Sequence, residues 1–173
     1  NTDAVFAYIK KLREFTDMPI TVLVYANIVY QRGIRCFYAD AKASGIDGVL
    51  IPDVPAEETG PYVKAAYRAG IDPIFLVTQT TTPRRLAMIL RHARGYLYVV
   101  SVLGVTGARA ALSAKMPLFI RKVKRQTDLP LAVGFGVSQK EHIVQLKKQG
   151  ADGAIVGSAL IKVIEQNLGD RKR

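Results

Sequence analysis

Short apolar runs rich in β-branched residues alternate along this chain with amphipathic stretches of about 12–15 residues. Residues 19–25 (PITVLVY), 48–51 (GVLI), 74–77 (IFLV), 96–100 (YLYVV), 131–133 (LAV) and 153–156 (GAIV) read as strands. The spacing predicts a leading helix over 3–15, with Val5, Phe6, Ile9 and Leu12 on one stripe. Further helices are expected over 33–44, from Pro55 to Ala69, from Thr82 to about Arg94, and over 116–126. Another, capped by Ser138, should end at Gln149, and Ser158 should open the last. Gly45, Gly70, Gly95 and Gly150 follow helical stretches, where a left-handed residue stops a helix.

One helix followed by six strand–helix units is an α/β chain. Continuously apolar strands joined by crossover helices imply a parallel sheet buried on both faces. Two architectures satisfy that pattern, a doubly wound open sheet and a β/α barrel. The Gly-x-Gly-x-x-Gly fingerprint of a dinucleotide fold is absent after the first strand. The barrel is favoured, with this chain as a (β/α)8-type TIM barrel covering about six of the eight units, a single incomplete domain over 1–173.

Composition narrows the function classes. The net charge is +11, but the basic residues scatter over the helical stretches and no nucleic-acid motif accompanies them. Solvated helix faces with a preference for anionic ligands are the expectation. One cysteine, Cys36, cannot form an internal disulfide, and a reducing, cytoplasmic setting follows as an expectation. No apolar run approaches a membrane span, and no His, Cys or carboxylate spacing suggests a metal site. His92 and His142 are expected on helix surfaces.

The strand ends carry the chemistry. In β/α barrels a phosphate commonly sits between the loops after the last two strands, on a helix N-terminus. Here the penultimate strand ends in Gly134-Phe135-Gly136 and the last in Gly157-Ser158, directly before a helix. Glycines admit close approach of backbone N–H groups, and a helix N-terminus adds unpaired donors. The same residues also suit ordinary turns and an N-cap. Asp53, after the second strand, suits a general acid or base, or a hydrogen-bonding turn between Pro52 and Pro55. The turn or ligand-orienting role is favoured. The long loop from Ser101 carries Gly104 and Gly107, as a lid would.

Leu23-Val24-Tyr25-Ala26-Asn27, Ile51-Pro52-Asp53-Val54-Pro55, Ser101 to Gly107, Gly134 to Ser138 and Gly153 to Ala159 together resemble the tryptophan synthase α subunit family. The resemblance implies a barrel lyase that cleaves indole-3-glycerol phosphate by a retro-aldol reaction to indole and glyceraldehyde 3-phosphate. It implies an α2β2 partnership with a β subunit, with pyridoxal phosphate on that partner only and no cofactor in this chain. By the same resemblance, Gly107, Gly134, Phe135, Gly136, Gly157 and Ser158 surround the phosphate. Leu23, Tyr25, Leu50, Tyr98 and Phe135 line the indole pocket. Thr106 is the lid threonine, and Val54 and Pro55 lie near the β subunit.

The resemblance also implies a departure. The family's two principal catalytic carboxylates precede the helix that residues 1–16 match. The chain is therefore expected to be an incomplete version of a longer protein, or less readily a fragment that pairs its open edges elsewhere. Two other readings remain open: a different phosphate-binding barrel acting on a sugar phosphate, and a non-catalytic module that binds a β subunit.

Overall fold

The computed structural model describes residues 1–100, 116–134 and 137–168. The chain packs as two compact units. One holds Asn1–Leu76 with Thr82–Tyr96, and the other holds Val77–Thr81 with the described residues from Leu97 onward.

The first unit runs α1 (Thr2–Arg13), β1 (Thr21–Leu23), α2 (Ala26–Arg32), α3 (Ile34–Ser44) and β2 (Gly48–Leu50). A 3-10 turn (Ala56–Glu58), α4 (Gly60–Ala69), β3 (Asp72–Val77) and α5 (Pro83–His92) follow. Its strands pair in parallel in chain order, Leu23 beside Leu50 and Leu50 beside Ile74. The second unit runs β4 (Leu97–Val100), α6 (Met116–Lys124), β5 (Leu131–Gly134), α7 (Lys140–Lys148), β6 (Gly153–Ala154) and α8 (Ser158–Gln166). It too is parallel and in chain order, with Val100 beside Gly134 and Val133 beside Ala154. Among the described residues, neither unit shows the reversal of strand order that a doubly wound sheet contains.

The first unit's core gathers Phe6, Ile9, Val29, Phe37, Tyr38, Ala41, Ile46, Val49 and Ile71. Phe37 meets Phe6 at a tilt and Tyr38 edge-on, each with ring centroids 5.6 Å apart. Burial pushes the Tyr38 phenol far above its ordinary pKa, so it stays neutral. In the second unit Leu97, Val99, Met116, Ile120, Val123, Leu131, Val133 and Leu146 are buried.

One device recurs at the foot of the strands. The sequence reads Gly-Ile-Asp at 45–47 and 70–72 and Gly-Ala-Asp at 150–152. Each glycine takes a positive φ, +93°, +67° and +94°. That turn lets the next residue's N–H reach back five residues, from Ile46 to Ala41, Ile71 to Ala66 and Ala151 to Leu146. Each aspartate N–H then bonds the start of the preceding strand, at Ile20, Asp47 and Leu131. The Asp47 and Asp152 carboxylates complete the clamp by accepting from Ile20 N and Leu131 N, both at 2.8 Å. Each is held by a cation, Arg13 on Asp47 and Lys124 on Asp152 at 2.6 Å. Burial pushes the Asp152 carboxyl up, but the Lys124 ammonium and the Leu131 N–H outweigh it and hold its pKa below the usual range.

Several expectations change. The stretch before α3 is itself helical, since Ala26–Arg32 forms α2 and Gly33 at φ +84° breaks it from α3. The helix expected from Pro55 divides into the 3-10 turn and α4, with Pro61 in the first turn of α4. Ser138 does not cap α7: Gln139 holds that position, and the Ser138 N–H donates to His142 Nδ1 at 3.4 Å. His142 is accordingly buried rather than on the surface. Cys36 is exposed. On α1, Phe6 and Ile9 are buried, whereas Val5 and Leu12 lie on an exposed side with Tyr8. β2 is buried throughout, whereas β1 and β6, each paired with one strand among the described residues, are partly exposed. On α8, Leu160, Ile161, Val163 and Ile164 are exposed. Among the described residues, no helix is long and apolar enough to cross a membrane.

Candidate functional site

In the first unit the candidate residues sit where strands end. Leu23 closes β1 and Tyr25 precedes α2, and both are more than half exposed, at 55% and 56%. Leu50, the register partner of Leu23, is 2% exposed, so it is a core residue at the sheet's end rather than an open wall. The Val24 N–H donates to the Leu50 carbonyl at 3.0 Å, which carries the strand pairing to the rim.

Asp53 has a defined task. Both carboxylate oxygens accept from the Ala26 N–H, at 3.0 and 3.2 Å, in the first turn of α2. The contact ties the loop after β2 to the loop after β1. A second tie fixes the same loop. Arg85 of α5 forks onto Glu57 of the 3-10 turn, Nε and Nη2 both reaching Oε1 at 3.1 and 3.0 Å. The Glu57 backbone N–H and the Arg85 guanidinium lower that carboxyl's pKa.

In the second unit the loop after β3 is closed by threonines. The Thr78 N–H donates to Thr81 Oγ1 at 2.9 Å, and the Thr78 and Thr80 hydroxyls lie 2.8 Å apart. Gly157 precedes α8 with no side-chain cap, and its carbonyl accepts from Leu160 at 2.9 Å. Ser158 is the first helical residue rather than the cap. Among the described residues, a Cβ added to Gly157 would meet nothing within 4 Å. Both residues are exposed. The helix start thus presents first-turn donors and a glycine bordered by open space, the arrangement that admits an anion.

Gly134 has a different reason to be glycine. A Cβ there would collide with the Tyr98 phenol and lie 2.8 Å from its Cε1. Tyr98 on β4 crosses the neighbouring end of β5, so a phosphate-site candidate and a ring-pocket candidate adjoin. Gly134→Ala should displace Tyr98 and cost about 1–3 kcal/mol by overpacking. Adding Tyr98→Leu should return part of that loss, a coupling above about 0.5 kcal/mol in a denaturant double-mutant cycle. Additive effects would separate the two residues. Thr106, Gly107, Phe135 and Gly136, with Ser101 and Gly104, lie outside the described residues. No group of three His, Cys, Asp or Glu is placed to hold a metal ion among the described residues.

Sequence reasoning missed the foot clamps of Asp47 and Asp152, although the repeated Gly-Ile/Ala-Asp triplet was a signal. It also missed Arg85 and Glu57, whose contact spans 28 residues and leaves no local trace.

Comparison with known proteins follows the same lines. The family model described as tryptophan synthase alpha chain matches residues 1–173. The tryptophan synthase alpha chain of Methanoregula boonei is 49% identical over 168 residues, 97% of this chain and 63% of its own length. That of Methanothermobacter thermautotrophicus is 46% identical over 171 residues, with 99% and 63% covered. Among solved structures, a chain of the tryptophan synthase α2β2 complex from Pyrococcus furiosus superposes with a TM-score of 0.89. It is 39% identical, with 96% of this chain and 67% of that chain covered. The tryptophan synthase alpha chain from Legionella pneumophila gives a TM-score of 0.85 at 32% identity, over 98% of this chain and 62% of that one. The chain spans about 63% of the length of the first two curated relatives. Its α/β architecture is that of the β/α barrels, and the chain belongs to the tryptophan synthase alpha chain family.

Proposed function

We propose that the chain serves the retro-aldol cleavage of indole-3-glycerol phosphate to indole and glyceraldehyde 3-phosphate, in the cytoplasm, beside a β subunit that carries pyridoxal phosphate. The observation that carries this reading is the start of α8, where the first turn has no side-chain cap and a Cβ at Gly157 would meet nothing within 4 Å among the described residues. It supports a phosphate grip at the place where β/α barrels keep one.

The chemistry needs three proton-handling tasks. Indole C3 is protonated, which makes the ring an indolenine whose N–H must be stabilised. The hydroxyl next to the scissile carbon–carbon bond then loses its proton and becomes the aldehyde. The bond's electron pair returns to the ring and restores indole. Asp53 is not the base in this reading, because both its oxygens are engaged with the Ala26 N–H. It holds two strand-end loops in register, while Tyr98 and the α8 start position ring and phosphate. Such positioning removes part of the entropic barrier. By the resemblance, the family's two principal carboxylates belong to a segment ahead of the helix matched by residues 1–16. Normal turnover by the 173-residue chain alone would therefore sink the division of labour proposed here.

Gly157→Asp separates binding from folding. A carboxylate at this position caps α8 or leaves stability within about 0.5 kcal/mol, since its Cβ meets no atom within 4 Å among the described residues. The same carboxylate repels a phosphate. Affinity for indole-propanol phosphate should fall more than about tenfold, which is over 1.4 kcal/mol. Calorimetric titration checks the first quantity and thermal unfolding the second. Unchanged affinity would remove the phosphate from α8. Tighter binding of an acyclic sugar phosphate would favour another barrel chemistry.

A further inference from the structure

We propose that the groove between α3 and α4 docks an acidic amphipathic helix of a partner protein. α3 presents Arg35, Ala39, Lys42 and Ala43, whose spacing puts them on one face, and α4 adds Ala65 and Arg68. They enclose a groove of about 460 Å3. The alanines make its floor shallow and apolar, and the three cations form its rim.

The rim is short of counter-charge. Arg35 and Arg68 make no hydrogen bond or ion pair among the described residues, while the Lys42 ammonium donates to the Gly70 carbonyl at 3.0 Å. The one carboxylate of α3, Asp40, is taken by Arg32 at 2.7 Å, and α4 contains none. An apolar floor with an arginine rim is the anatomy of a protein interface, and free guanidiniums pair with carboxylates in two-toothed fashion.

Other occupants fit less well. Single-stranded nucleic acid needs stacking platforms, and alanines offer none. A membrane surface needs bulky apolar anchors beside its cations. A second copy lacks the matching charge, because each described α-helix of this chain carries at most one carboxylate.

The test titrates the 173-residue chain against a fluorescent helical peptide built of Glu, Ala and Leu repeats, read by anisotropy. Saturable binding is expected. Arg35→Glu with Arg68→Glu should weaken it at least about tenfold. Arg121→Glu with Lys122→Glu, the same charge change on α6, should stay within about twofold. Ala39→Phe, which fills the floor without altering charge, should also abolish binding. All five substituted positions are exposed, and far-UV dichroism verifies that each variant is folded. Absence of saturable binding, or equal loss in the α6 control, overturns the proposal. So does tighter capture of single-stranded RNA or of anionic vesicles through the same two arginines.

Discussion

Phe37→Ala should destabilise the chain by about 3–5 kcal/mol. Phe37 is 1% exposed and sits between the Phe6 and Tyr38 rings, in the cluster that also holds Val29, Ala41, Ile46, Val49 and Ile71. Truncation removes the ring's transfer energy and both aromatic contacts. It leaves a void that α1, α3 and β2 are too constrained to close, because α1 is pinned to the end of α3 by Arg13. For a chain of this size the melting temperature should fall by about 10 °C. Phe15→Ala, at a position 82% exposed, should stay within about 0.5 kcal/mol. Thermal unfolding of the two variants measures the contrast. A loss below about 1 kcal/mol for Phe37→Ala would mean that this cluster is not the unit's core.

Arg13→Ala should cost about 2–4 kcal/mol, although the residue lies at a helix end. Its guanidinium donates to the Gly45 carbonyl through Nε at 2.8 Å and Nη2 at 2.6 Å, and to the Met18 carbonyl at 2.6 Å. It also pairs with Asp47, whose carboxylate receives the Ile20 N–H. Removing it strands the part-buried Gly45 carbonyl and takes a partner from the exposed Met18 carbonyl and the Asp47 carboxylate. Gly45 belongs to the same device. At φ +93° a side chain is strained, and a Cβ there would sit 2.6 Å from Arg13 Cγ. Gly45→Ala should therefore cost backbone strain and also dislodge Arg13. The two losses should overlap, with a double-mutant coupling above about 0.5 kcal/mol by urea unfolding. Arg13→Lys should recover only part, since an ammonium cannot reproduce the fork. Additive losses would show that the arginine and the glycine act separately.

The strand–helix grammar was legible because its causes are local. Apolar runs such as 131–133, and glycines after helices such as Gly45 and Gly70, carry their conformational demands in the residues themselves. The errors also have local causes. Ala26–Arg32 carries no capping side chain, since Tyr25 precedes it without a cap bond, so it announced no helix. Ser138 looked like a cap, but its N–H is taken by His142. That contact draws the histidine inward from a helix whose polar residues suggested a surface. Gly157 read as a phosphate glycine from its place before a helix; among the described residues no atom lies within 4 Å of a Cβ built there.

Residue order alone was enough to set the alternation of parallel strands and helices, the placing of glycines at turns and strand ends, and the family resemblance. These depend on neighbours along the chain. Packing in three dimensions was needed to make Gly134 obligatory, because Tyr98 lies across it, and to commit Asp53 to the first N–H of α2. It alone placed Asp47 and Asp152 as clamps on the preceding strands. Each of these pairs residues 21 to 36 positions apart in the sequence. The steric and hydrogen-bond terms that fix them fall off within a few ångströms, so they act only after folding has brought the partners together.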